Sequence, residues 1–352
     1  MLIDQGNDNM CGAIDLGILN SGQQLGDATQ DIYNNYCADG EDEPSTSADG
    51  AGWGNDFSVW FTFTTSNDPS SIASILGISD PENTGEYLNL QLALYQSTTA
   101  DCMGDFEFVT SSWKNSDVDE LMVTNCLEAN RTYYILVDGF ITPPTTRFTG
   151  LFGLQVNDEG VKEAPDQICE ATDLGNIPLA GQVSTGLTVS NVCATGETSD
   201  PQNSIFPADN SVWFSFQAPD SRHVLITAIS DENRENGGLD AVDIQLAVFS
   251  TEDGNCSGNF NEEAAGYDPN SLDESLELSC LIPGETYYLL LNGGPMDRGG
   301  VFSITISDAG YDPIVETIDE VICFGDSLLV GDTYLTVSGP INIPLIMSLI
   351  HI

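Results

Sequence analysis

The chain's 352 residues carry 55 Asp and Glu against 7 Lys and Arg, a formal charge of -48, and 41% of them are hydrophobic. A surface that acidic repels phosphate backbones and anionic lipid heads, which excludes nucleic-acid binding and docking on acidic membranes. The length suffices for two domains with buried cores, and no apolar run reaches the roughly 18 residues of a transmembrane helix, so no membrane insertion is expected.

Taken in chain order, Met1 to Gln5 has neither the basic nor the apolar stretch of a secretion signal, so a mature piece or fragment is expected. Cys11-Gly-Ala-Ile-Asp-Leu-Gly17 opens the first patterned region. An acidic, glycine-rich loop follows, with Asp39, Glu41, Asp42, Trp53 and Asp56. From Ser58 to Thr64 the chain alternates with period two. Val59, Phe61 and Phe63 then share one strand face, and Trp60 lies on the other as a second-face or core residue. Gln91 to Tyr95 and Thr132 to Val137 read as further strands, the latter ending in the turn pair Asp138-Gly139. Gly150 to Val156 reads as a closing strand, and the polar stretch 157–165, ending at Pro165, reads as a linker.

The same series then returns about 154 residues later. Cys169-Glu-Ala-Thr-Asp-Leu-Gly175, Ser211-Val-Trp-Phe-Ser-Phe216, Gln245 to Phe249, Thr286 to Gly293 and Gly300 to Ile304 reproduce the five segments in order. Cysteines keep the same ruler: Cys102 to Cys126 and Cys256 to Cys280 both span 24 residues. Cys11 and Cys37 match Cys169 and Cys193. Short strands between Gly, Asn, Asp and Pro turns in units of about 150 residues indicate an all-β chain. We expect two tandem antiparallel β-sandwich (jelly-roll) domains plus an incomplete C-terminal β module, at 1–160, 161–309 and 310–352.

Nine cysteines without a C-x-x-C pair, and only His223 and His351 beside them, exclude zinc ribbons and thioredoxin-like sites. They read as disulfides and hence as an oxidising compartment, extracellular or at the cell surface. Four cysteines per repeat allow three pairings. The sequence-adjacent one is expected: Cys11–Cys37, Cys102–Cys126, Cys169–Cys193 and Cys256–Cys280.

Catalytic chemistry finds little support. No nucleophile elbow, metalloprotease, phosphate-loop or dinucleotide motif occurs, and His223 at a strand edge has no counterpart in the first repeat. So many carboxylates make acid pairs uninformative. Calcium, an oxygen-seeking cation, is the cofactor expectation, with Asp39, Glu41, Asp42, Asp56, Asp138, Asp209, Asp240 and Asp243 as candidate ligands. No spacing matches an EF-hand, so solvated acidic loops are the competing reading. Trp53, Trp113 and Tyr267 either stack on sugars of cell-surface glycans or pack over the sandwich edges.

The motifs Cys-x-Ala-x-Asp-Leu-Gly, Asp-x-Ser-Val-Trp-Phe (56–61 and 209–214) and Thr-Tyr-Tyr-x-x-x-Asp/Asn-Gly resemble jelly-roll modules of large secreted surface proteins of Bacteroidota, akin to pre-peptidase C-terminal and CUB-like sandwiches. The segment from Val321 through Cys323-Phe-Gly-Asp-Ser327 is not a third repeat; it resembles the C-x-G-[DE]-S modules of the same adhesin-like proteins. The resemblance covers most of residues 7–339 and implies export, by the type IX route, and display or release at the cell surface. The pattern breaks at Pro340, and the apolar stretch to Ile352 is expected to be a truncated or out-of-frame end, the alternative being a strand donated to a neighbouring subunit. The resulting expectation is a non-catalytic extracellular structural or adhesive segment of a large bacterial surface protein, fibre or appendage, whose partners are copies of itself or neighbouring modules. The alternative is a calcium-assisted carbohydrate-binding module of a secreted hydrolase.

Overall fold

A computed structural model describes residues 6–38, 57–85, 87–97, 102, 106–114, 118–140, 149–186, 189–196, 200–231, 241–252, 254–256, 258–294, 299–310, 328–330 and 333–335. The first ten strands are β1 (Ile14–Leu19), β2 (Gln24–Leu25), β3 (Ile32–Asn34), β4 (Val59–Thr65), β5 (Ile72–Ser79), β6 (Asn89–Ser97), β7 (Phe106–Ser112), β8 (Glu120–Asn125), β9 (Thr132–Phe140) and β10 (Leu151–Asp158). They form two sheets, ordered β1-β4-β9-β6-β7 and β2-β10-β5-β8, with β3 also on β10.

A connecting strand, β11 (Lys162–Glu163), leads into β12 (Thr172–Asn176), β13 (Gln182–Ser184), β14 (Val189–Ser190), β15 (Val212–Gln217), β16 (Val224–Ser230), β17 (Ile244–Thr251), β18 (Phe260–Gly266), β19 (Glu274–Leu278), β20 (Thr286–Gly293) and β21 (Val301–Asp308). Their sheets run β12-β15-β20-β17-β18 and β11-β14-β21-β16-β19, with β13 on β21. Apart from β11, which has no counterpart in the first repeat, this is the first arrangement again. Register agrees as well: Phe152 faces Ser79 across β10 and β5, and Phe302 faces Ser230 across β21 and β16. Residues 1–311 form one compact unit. In the other, 312–352, Leu328–Val330 and Thr333–Leu335 pair antiparallel.

Alternation explains the layering. Val59, Phe61 and Phe63 point inward and join Leu90, Leu92, Leu94, Ile135 and Val137 in the core between the sheets. Val212, Phe214 and Phe216 do the same in the second repeat. The opposite face is buried too. Trp60 packs with Ala93, Tyr95, Tyr134 and Leu136 under a cover that includes Met10, Ala13 and Cys102. The cover is tied down where Trp60 N–H donates to Asn7 O (2.7 Å) and Asn7 Nδ2 donates to Trp60 O (3.1 Å). Trp213 has the matching cover, with its N–H on Pro165 O at 2.8 Å.

Two expectations are corrected. The sheets are not wholly antiparallel, because β1 runs parallel to β4, β12 to β15, and β11 to β14. A long excursion, and not a hairpin, joins each of these pairs, and that length permits parallel pairing. The sequence-adjacent disulfides are also replaced: Cys11 bonds Cys102, Cys169 bonds Cys256, and Cys126 bonds Cys193. Cys37 and Cys280, expected in bridges, are exposed free thiols. Adjacency in sequence fails because a sandwich separates the partners it would choose. Cys102 lies between β6 and β7 on the outer face of one sheet, whereas Cys126 follows β8 on the other.

Candidate functional site

Polar contacts and a covalent bond converge at the junction between the two repeats. The stretch expected as a loose linker is instead part of the second sandwich: Lys162 and Glu163 pair with Val189 and Ser190, and Ala164 N–H donates to Ser190 O at 2.9 Å. Val161 is buried with Ile72 and Val301, and Val123 and Val192 pack against them. Ser71 at the head of β5 donates its N–H to Val161 O (2.9 Å), and its hydroxyl lies 2.7 Å from that of Ser190. Ser190 in turn donates to Glu163 Oε2, while Cys193 N–H donates to Oε1 at 2.9 Å. The Cys126–Cys193 bond closes this cluster across the two repeats.

Glu163 is the titratable group at its centre. Burial pushes its carboxyl up to about 7, against the hydrogen bonds from Ser190, Cys193, Ser71 and Ala194 that favour the anion. Sequence reading missed it because one Glu among so many acids carries no signal; its proximity to the short Val161 segment is a tertiary fact.

Each repeat ends on a carboxylate that fastens its corner. Asp158 accepts from Gly22 N (2.7 Å), Ser70 N (2.9 Å), Gly160 N (3.0 Å) and the Ser70 hydroxyl. Asp308 accepts from Ala180 N (2.5 Å), Gly310 N (2.9 Å) and the Ser221 hydroxyl. Burial tends to raise the Asp308 pKa, but those donors and nearby His223 hold it below the usual value.

Of the calcium candidates, Asp39, Glu41, Asp42, Asp56 and Asp240 lie outside the described residues. Asp138, Asp209 and Asp243 are described and do not converge. Asp138 is fully buried and its Oδ1 accepts from Phe57 N (3.1 Å) and Gly139 N (2.7 Å). Asn292, its repeat partner, accepts from Asp209 N and Asn210 N, both at 3.0 Å. Both side chains therefore fasten the loop before the Trp strand. The Asp209 side chain is exposed, and Asp243 accepts from the Tyr267 hydroxyl at 2.9 Å. Among the described residues, no three His, Cys, Asp or Glu are grouped to hold a metal ion.

Trp53 lies outside the described residues. Trp113 is 37% exposed and meets Phe140 edge to face, ring centres 5.0 Å apart. His223 Nε2 lies 2.7 Å from Glu277 Oε1. A groove of about 240 Å³ on the first repeat is lined by Thr29, Ile78, Asp80, Tyr87 and Asp119 among others, with Tyr87 40% exposed. Asp80 and Asp119 are engaged by backbone donors there, Thr84 N and Gly85 N on the first and Ser79 N on the second. No described helix is long and apolar enough to cross a membrane.

No family profile matches the chain, and no curated protein matches it. Solved structures matched to this chain include the pre-peptidase C-terminal domain of collagenase from Bacillus anthracis, at 12% identity and TM-score 0.23, covering 39% of this chain and 94% of that one. The CUB1-EGF-CUB2 domain of human MASP-1/3 matches at 8% identity and TM-score 0.17, covering 79% and 98%. The tandem CBM51 modules of the family 98 glycoside hydrolase from Streptococcus pneumoniae SP3-BS71 match at 8% identity and TM-score 0.21, covering 71% and 81%. At such TM-scores these overlays leave function to be read from the chain's own residues.

Proposed function

We propose that the chain is a non-catalytic extracellular structural and adhesive segment of a large bacterial surface protein or fibre. The observation that carries this reading is the covalent junction. Two sandwiches of the same build are joined by Cys126–Cys193, with the connecting strand absorbed into a sheet, so a pull on the chain meets a bonded clamp and not a flexible tether. The three disulfides support an oxidising compartment. The likeness of the Cys-x-Ala-x-Asp-Leu-Gly and Trp-strand motifs to Bacteroidota surface modules supports export by the type IX route.

The second reading, a calcium-assisted glycan-binding module, is favoured by the Tyr87 groove, where an exposed ring stands beside carboxylates. A glycan array probed with the full chain, in calcium and in a chelator, separates the two. Background signal in both conditions is the expected result. Calcium-dependent binding that Tyr87→Ala abolishes would put the glycan-binding reading first.

A further inference from the structure

The Cys126–Cys193 bridge exists in the chain once as a bond and once as two separated halves. By repeat register Cys280 is the counterpart of Cys126, and Cys37 is the counterpart of Cys193. The backbone keeps this correspondence closely. Cys126 and Cys280 both adopt a left-handed conformation, φ 61° and 62°, one that non-glycine residues adopt only at a cost. The turns carrying Cys37 and Cys193 are built alike too. Asn35 accepts from Gly150 N (2.9 Å) and donates to Phe57 O (2.9 Å); Asn191 accepts from Gly300 N (3.0 Å) and donates to Asn210 O (2.9 Å). The two halves without a partner, Cys37 and Cys280, are both exposed free thiols.

We propose that Cys280 of one copy bonds Cys37 of a second copy, repeating the internal junction between chains and joining them head to tail into a disulfide-linked polymer. The proposal rests on the structural reading above and names its partner, a second copy of this chain. The surroundings of the two thiols fit a contact made after folding. Where the internal junction has Ile72 and Val123, the Cys280 end has His223 and Glu277, paired at 2.7 Å. Where it has Val192 and Val301, the Cys37 end has Tyr36 and Leu151, both partly exposed. An end that must stay soluble before joining carries such a polar or amphipathic face, whereas a permanent junction is apolar.

The bond forms by thiol–disulfide exchange with a small-molecule disulfide such as oxidised glutathione. The Cys280 thiolate attacks it, forms a mixed disulfide and releases one glutathione thiolate. The Cys37 thiolate of the second copy attacks the Cys280 sulfur and releases the other. Two cysteine thiols are oxidised, one disulfide is reduced, and the two protons end on the released thiolates.

The test takes the full chain from mildly reducing buffer into a glutathione redox buffer, followed by non-reducing electrophoresis and peptide mapping. A ladder of multimers reversed by reductant is expected, with a Cys37–Cys280 peptide as its only new link. Cys37→Ser and Cys280→Ser should each abolish the ladder while keeping the wild-type melting temperature. Mixed together, they should give one heterodimer and nothing longer. Cys323→Ser should leave the ladder intact. An internal Cys280–Cys323 bond, symmetric Cys37–Cys37 or Cys280–Cys280 links, or thiols that stay free would overturn the proposal. None of those outcomes alters the glycan-array result, so the structural reading and the head-to-tail bond stand or fall separately.

Discussion

Glu163 holds its proton to higher pH because burial at the junction excludes most of the water that would stabilise the anion, an effect that the hydroxyl and amide donors around the carboxyl offset only in part. Its folded pKa of about 7 lies above the ordinary 4.5. The native state thus binds more protons than the unfolded state between those values, and stability falls as pH rises from about 4.5 to about 7. Thermal melts across that range should show this slope in the wild type and a flatter one in Glu163→Gln, with the variant the more stable at pH 8 by on the order of 1–3 kcal/mol. An unchanged slope in Glu163→Gln would remove Glu163 from this role. Asp138 offers a test that the chain has already half performed, since Asn292 does the same work in the second repeat. Asp138→Asn should cost less than about 1 kcal/mol, whereas Asp138→Ala, which strands the Phe57 and Gly139 amides, should cost about 1–3 kcal/mol in urea unfolding. Gly153 lies so close to Ala28 that an added Cβ would stand 1.8 Å from its carbonyl oxygen. Gly153→Ala should therefore destabilise the first repeat by about 1–3 kcal/mol or more.

At the scale of elements, the outer face of the β1-β4-β9-β6-β7 sheet, and of its counterpart β12-β15-β20-β17-β18, is the unusual feature. A sandwich normally leaves that face to solvent, yet Trp60 and Trp213 are fully buried on it. Each is covered by a short 3-10 turn, Met10–Gly12 or Ile168–Glu170, which Cys11–Cys102 or Cys169–Cys256 holds against the sheet. These bonds span 91 and 87 residues, for which chain entropy alone predicts about 4–5 kcal/mol each. Opening one should uncover its tryptophan: Cys102→Ser is expected to shift fluorescence to the red and lower the denaturant midpoint of the first repeat. Trp60→Ala should cost about 3–5 kcal/mol with the disulfide intact.

For the whole molecule, the junction decides whether the two repeats behave as one body. Apolar burial there is small, a handful of valines and one isoleucine, so the covalent bond carries much of the coupling. Calorimetry of the oxidised chain should show one transition over residues 1–311, and Cys126→Ser should split it into two. A single unchanged transition in Cys126→Ser would mean that the hydrogen-bonded cluster of Ser71, Ser190 and Glu163 suffices to couple the repeats.

The all-β class, the doubling of the unit, the strands that carry the repeated motifs (β1, β4, β6, β9 and β10 with their counterparts) and the place of Trp60 on the second face of its strand were legible in the amino-acid order, whereas β5, β7 and β8 were not. Period-two alternation and internal repetition are local properties, and Val59, Trp60 and Phe61 state them outright. Disulfide partners, the integrated connecting strand and the role of Glu163 were not legible. Each depends on which sheet a loop returns to, and neighbours in sequence such as Cys102 and Cys126 leave from opposite sheets. The repeat gave the cysteines their equivalence, but only the tertiary structure decided that Cys126, the fourth of the first set, bonds Cys193, the second of the next, because that choice is fixed by where the sandwich ends bring them and not by their spacing along the chain.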